Sequence, residues 1–166
     1  LDPHTGAVKA WIGGIDFRTQ PYDQILARRQ MASTFKPVIY SAALEDGMDP
    51  CEYLDNDSVN VEGFDDWSPE NYDRSYGGKY SLAGALAHSM NVPTFNLFRM
   101  IGFEKVDSVW GLMGFSFKLD NTPSLAMGTA EASIKEVASA YSCFVNGGYT
   151  VKPYYIVSIK TADGKT

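Results

Sequence analysis

Ser33-Thr34-Phe35-Lys36 sets a hydroxyl and an amine three residues apart. On a helix that spacing puts both on one face, so the Lys36 amine can reach the Ser33 hydroxyl. An unassisted serine is a poor nucleophile, and a neutral, desolvated lysine beside it can take its proton. A helix N-terminus also supplies backbone N–H groups where an oxyanion could form. The spacing is cheap, however. Fourteen serines and nine lysines yield about 0.8 such pairs by chance. By spacing alone the favoured reading is a capping serine followed by an exposed lysine.

Ser89-Met90-Asn91 is a second pairing, a hydroxyl and an amide that could relay a proton and hold a substrate amide. Ser58-Val59-Asn60 has the same pattern, and spacing does not choose between them. Ser89 follows a helical segment, whereas Ser58 borders an irregular one. His88 beside Ser89 suggests a Ser–His pair, but adjacent helical residues point in different directions. Gly13-Gly14 and Gly77-Gly78 lack the flanking pattern of a phosphate loop, and Gly164-Lys165-Thr166 lacks its earlier glycine. The acids Asp55, Asp57, Glu62, Asp65, Asp66, Glu70 and Asp73 read as a solvated loop, without the ligand spacing of a calcium site.

The 166 residues are 45% hydrophobic and 13% aromatic, a globular composition. Net charge is −6, opposite in sign to most nucleic-acid binders. Cys51 and Cys143 make no disulfide framework, and with His4 and His88 they make no metal cluster. Neither a metal nor a cofactor is expected. No stretch approaches the roughly 20 apolar residues of a membrane span. The chain opens inside turn chemistry at Asp2-Pro3 and stops just past another turn at Asp163-Gly164. It is expected to be a piece of a longer protein.

The elements that must position these groups follow from periodicity. Ala7–Ile12 alternates as a strand after the Asp2–Gly6 turn. A helix is predicted from about Ser33 to Glu45, with Phe35, Val38, Ile39, Ala42 and Ala43 inward and Pro37 in its first turn. Asn56–Lys79 is irregular, an excursion pinned by its own aromatics or a functional loop. Ser81 caps a helix over Leu82–His88, and Pro93 opens another to Ile101. Glu104–Met113 is a fourth helix, and Ile134–Val145 a fifth, with Ser133 and Glu136 as a capping box. Its inward stripe is predicted to be Ile134, Val137, Ala138, Tyr141, Phe144 and Val145. Tyr154–Lys160 reads as a strand, so strand material is expected only near the two termini.

Taken in order, several segments resemble the transpeptidase domain of class A (bifunctional) penicillin-binding proteins. They are Leu1–Ala10, Arg29-Gln30 with Ser33–Pro37, Trp67-Ser68-Pro69-Glu70-Asn71-Tyr72-Asp73, and Ser81–Pro93. Pro123–Thr129 and Ala140–Gly148 complete the set. The likeness covers nearly the whole chain. It implies an α+β fold of the penicillin-binding/serine β-lactamase type, with residues 1–166 as the N-terminal part of the domain. That part would be mainly the helical lobe plus a partial antiparallel sheet, with the C-terminal strands missing.

The family's signatures are Ser-x-x-Lys, Ser-x-Asn and Lys-Thr/Ser-Gly. The resemblance maps the first onto Ser33 as nucleophile and Lys36 as general base. It maps the second onto Ser89 as proton relay and Asn91 as a contact to the substrate peptide, deciding against Ser58. The third has no match, Lys160-Thr161-Ala162 being a near miss, and is expected beyond Thr166. Without it the isolated piece is expected to react with penicillin feebly or not at all. Met31-Ala32 stands where the family commonly has Pro-Gly. The implied reaction is D,D-transpeptidation of peptidoglycan stem peptides through a serine acyl-enzyme, with β-lactam antibiotics acylating the same serine. The implied parent is membrane-anchored, carries an upstream glycosyltransferase domain and works at the outer face of the bacterial cytoplasmic membrane. A β-lactam-binding sensor or a serine β-lactamase on the same scaffold is the alternative.

Overall fold

In a computed structural model the structure describes residues 1–61, 63 and 67–164. The expectations for Glu62, Asp65, Asp66 and the Lys165-Thr166 end lie outside the described residues. The contacts divide the chain into two compact units. One comprises Arg29–Leu112 and Ser116–Glu131; the other holds Leu1–Arg28, Met113–Phe115 and the chain from Ala132 onward.

The first unit is mainly helical. A 3₁₀ turn at Ala32–Phe35 leads into α1 (Lys36–Glu45), with Pro37 in its first turn, where a missing N–H costs nothing. The predicted single helix from Ser33 is therefore a 3₁₀ turn followed by an α-helix. Three further helices follow: α2 (Leu82–Ala87), α3 (Asn91–Ile101) and α4 (Phe103–Leu112). α1 packs against α3 and α4. Phe35, Val38, Ile39, Ala42 and Ala43 of the predicted stripe are all buried. They meet Val92, Phe95, Leu97 and Phe98 of α3 and Val106, Val109 and Trp110 of α4 in one apolar core. The rings of Phe35 and Trp110 lie 5.6 Å apart. Burying a side chain of this size is worth about 1.5–3 kcal/mol.

Strand material is not confined to the termini. β1 (Tyr53–Asp55) pairs antiparallel with β2 (Lys79–Ser81), with Leu54 opposite Tyr80 and Asp55 opposite Lys79. The pair closes the base of the irregular excursion between them, and an Asp55–Lys79 ion pair of 2.9 Å crosses it. Three-residue strands are too short to show alternation, so periodicity passed over them.

In the second unit the opening turn forms as expected. Gly6 N donates to Asp2 O, and the Asp2 carboxylate accepts from the N–H groups of His4 and Thr5. These backbone donors hold the Asp2 carboxyl below its usual range. The predicted strands Ala7–Ile12 and Tyr154–Lys160 are reduced to a single parallel bridge, Ala7 with Tyr154. Alternation marks residues that suit a strand, but a strand also needs a backbone partner along its length, and two lone segments are marginal in water. The predicted helix Ile134–Val145 is α5 (Ile134–Ala140) followed by a 3₁₀ turn, Tyr141–Val145. Its capping box between Ser133 and Glu136 is complete, and Glu136 also pairs with Arg28 at 2.8 Å. Its predicted inward stripe is not buried: Ile134, Ala138, Phe144 and Val145 are exposed, while Ala140 and Ser142 are buried.

Gly128 ties the first unit together beside Ser33. It accepts a hydrogen bond from Ala32 N at its carbonyl and has φ +82°, and a Cβ there would lie 1.9 Å from Ala32 O. Gly128→Ala is expected to cost about 2–4 kcal/mol, combining left-handed strain with overpacking. A urea midpoint within error of wild type would show that the Ala32 backbone yields freely.

Candidate active site

Lys36 opens α1 and is 1% exposed. Its Nζ donates to Ser89 O at 2.5 Å, Asn91 Oδ1 at 2.7 Å and Ser89 Oγ at 3.1 Å. Thus the structure joins three of the four sequence-predicted residues by direct hydrogen bonds. Ser33 is one turn away and exposed; its carbonyl accepts from Lys36 N. Its hydroxyl makes no hydrogen bond to another described residue. Ser58 and Asn60, the competing pair, are exposed and bond to none of these groups. His88 packs its ring edge-on to Tyr80 and takes no part.

The three acceptors on Lys36 have different chemistry. Ser89 O and Asn91 Oδ1 only accept, and Asn91 is oriented because its Nδ2 donates to Glu70 O at 2.7 Å. Ser89 Oγ can accept from an ammonium or donate to the lone pair of a neutral amine. Both protonation states of Lys36 are therefore satisfied without moving a heavy atom. No carboxylate pairs with it among the described residues, and burial lowers its pKa from 10.5 to about 8. The neutral amine, the state a general base needs, is therefore reached near pH 8 rather than near 10.5.

The turn holding Ser89 and Asn91 is built by two helix ends. Ser81 caps α2, its hydroxyl accepting from Gly84 N. At the other end Met90 N donates to Ala85 O and Ser89 N to Leu86 O, the paired bonds of a Schellman stop. That stop wants a left-handed residue, normally glycine, and Ser89 takes it with φ +52°. Asn91 follows at once as the first residue of α3. Ala32, just before Ser33, is also left-handed at φ +47°. Strained residues thus flank or form both halves of the site.

Residues the sequence reading missed hold the turn from below. Asn71 and Asn56 are 3% and 1% exposed. Asn71 Oδ1 accepts from Asn91 N at 2.9 Å and Val92 N at 3.1 Å, and its Nδ2 donates to Asn56 Oδ1 and Ser75 O, both at 2.7 Å. The irregular excursion is therefore pinned by buried amides. Trp67 packs edge-on against Phe95, but Tyr72 is fully exposed. On α1, Tyr40 lies four residues after Lys36; its hydroxyl meets Thr94 Oγ1 at 3.0 Å, which donates to Met90 O at 2.6 Å. Burial pushes the Tyr40 pKa up to about 12. Nothing in residue type alone marks these amides, since Asn is commonplace in loops.

Two concavities of about 520 and 530 Å³ open beside α3, but neither is lined by Ser33, Lys36, Ser89 or Asn91. Chemistry points to the small cluster rather than to the larger hollows. The described residues contain no group of His, Cys, Asp and Glu able to hold a metal.

A family described as penicillin binding protein transpeptidase domain matches residues 1–166. Penicillin-binding protein 1A of Pseudomonas aeruginosa is 39% identical over 99% of the chain, which spans 21% of that protein. The namesake from Neisseria meningitidis is 37% identical over the same share, again 21% of its length. The 2.6 Å crystal structure of penicillin-binding protein 1A from Haemophilus influenzae superposes with a TM-score of 0.90 at 29% identity, covering 99% of this chain and 25% of that one.

Ser89→Gly and Ser89→Ala both lose the Oγ bond to Lys36, so Ser89→Gly, which releases the left-handed strain, is expected to be more stable than Ser89→Ala by about 1 kcal/mol. Equal melting temperatures for the two variants would refute this. Lys36 holds its proton less tightly folded than unfolded, so its charge opposes folding below about pH 8 and the deficit shrinks toward pH 10.5. Denaturant titrations should show wild type gaining on Lys36→Met across that window, and a pH-independent difference would contradict it.

Proposed function

Because the chain belongs to the penicillin binding protein transpeptidase domain family, we propose that it carries the acyl-transfer centre of a peptidoglycan D,D-transpeptidase that β-lactam antibiotics acylate. The observation that carries this reading is Lys36: a buried amine of lowered pKa, one helical turn from an exposed serine and bonded to the Ser89–Asn91 turn.

Ser33 Oγ attacks the carbonyl between the two D-alanines of a stem peptide. Lys36, neutral, takes the hydroxyl proton; such a contact tightens with substrate in place. The Ser33 N–H, in the first turn of the 3₁₀ segment, is one donor for the developing oxyanion. As the C–N bond breaks, the departing D-alanine nitrogen receives a proton through Ser89 Oγ, which Lys36 replenishes. An amine of a neighbouring stem then attacks the ester carbonyl and gives its proton back along the same route. Ser33 leaves with its hydroxyl restored, and the cross-link is made. Asn91 has one amide N–H beyond the bond to Glu70 O, available to a substrate carbonyl. No step calls for a metal or cofactor. The parent protein is proposed to act at the outer face of the bacterial cytoplasmic membrane, anchored there and carrying an upstream glycosyltransferase domain.

In the full-length protein, a fluorescent penicillin is expected to label stoichiometrically, and Ser33→Ala to abolish labelling. Undiminished labelling of that variant would overturn the assignment. The second-order rate constant of acylation reports the free enzyme's base, so it should rise with pH through a midpoint near 8 as Lys36 loses its proton. A rate flat from pH 6 to 10 would remove Lys36 from that role.

A further inference from the structure

The geometry points to Asn71 as a positioning residue for acyl transfer, acting through the first turn of α3 on the two groups that meet Lys36. This rests on the acyl-transfer reading above. Met90, the residue before α3, supplies no side-chain cap, so the N–H groups opening that helix need an acceptor from elsewhere. Asn71 Oδ1 provides it to two of them, Asn91 and Val92, from 20 and 21 residues away in sequence. The cap therefore grips the backbone of Asn91 itself. Its neighbour Glu70 holds the same residue's side chain through the bond from Asn91 Nδ2 to Glu70 O. Backbone and side chain of Asn91 are thus fixed by consecutive residues of one loop, which leaves Asn91 Oδ1 aimed at Lys36 Nζ.

Asn71 is itself rigid. Both its Nδ2 bonds go to buried or half-buried acceptors, Asn56 Oδ1 and Ser75 O, and Asn56 Nδ2 reaches Ser75 O and Gly77 O. Asn56 N donates to Gly78 O and Gly77 N to Asn56 O, extending the β1–β2 ladder to the amide pair. The geometry of the base thus runs through a cap, an amide pair and a two-stranded ladder. A misplacement of about 1 Å at the reacting groups can cost about 100-fold in rate.

The test separates folding from positioning in the full-length protein. Labelling stoichiometry with fluorescent penicillin counts folded sites, and the acylation rate constant reports each site's geometry. Asn71→Ala should label fully with a rate constant lowered about 10- to 100-fold. Asn71→Gln keeps the amide's acceptor oxygen and its N–H donors and should recover at least about fivefold of that loss. A rate constant for Asn71→Ala within twofold of wild type, or lost stoichiometry with an unchanged rate constant, would overturn the inference. So would an Asn71→Gln rate as low as that of Asn71→Ala. If Asn71→Ala does not fold, Asn71→Ser, which withdraws the amide with less loss of volume, takes its place under the same twofold limit. Failure of wild type to label at all would instead sink the acyl-transfer reading.

Discussion

An ammonium group taken out of water must find oxygen acceptors or give up its proton. Lys36 sits at that balance. Three oxygens surround its Nζ, and burial still holds its pKa near 8. The arrangement demands that Ser89 O, Ser89 Oγ and Asn91 Oδ1 stand at one point in space. Two of them come from a residue in a left-handed conformation, and the third from the first residue of the next helix. Most of the surrounding structure serves that demand. The Schellman end of α2 turns Ser89, the Asn71 cap aims Asn91, and Tyr40 with Thr94 ties Met90 O to the face of α1 that carries Lys36.

Strain is concentrated where the chemistry is proposed. Ser89 at φ +52° occupies a glycine's place and brings a hydroxyl to Lys36 Nζ. Ala32 at φ +47° delivers the chain into the 3₁₀ turn of Ser33, and Gly128 lies so close that it can carry no side chain. Each left-handed non-glycine residue costs on the order of 1–3 kcal/mol. The apolar contacts of Phe35, Phe95 and Trp110 around α1 are of the size needed to offset this. A stable core and a strained rim are consistent with function placed on a rigid support.

The helices were legible because their signals are local. The inward stripe from Phe35 to Ala43, the Ser81 cap, and the Ser133–Glu136 box each involve residues within about one to three turns of one another. The strands near the termini were not, because alternation names a candidate and only a partner makes it a strand. The stripe predicted from Ile134 to Val145 failed for a related reason: apolar spacing does not say whether a second surface covers it, and in this chain Ile134, Phe144 and Val145 are exposed.

For the candidate site, the sequence by itself determined which residue types are present and how they are spaced: a serine and a lysine one turn apart, and a serine and an asparagine flanking Met90. Spacing left Ser58-Val59-Asn60 as good a partner as Ser89-Met90-Asn91, and the resemblance alone preferred the latter. Only the tertiary structure decided that Lys36 meets Ser89 and Asn91, residues 53 and 55 positions away. It also decided that Asn56 and Asn71 would be structural groups rather than loop decoration. The physical reason is that a hydrogen bond across such a separation depends on how helices pack, and packing is set by the whole core at once. A helix turn depends on its own few residues, and so can be read from them.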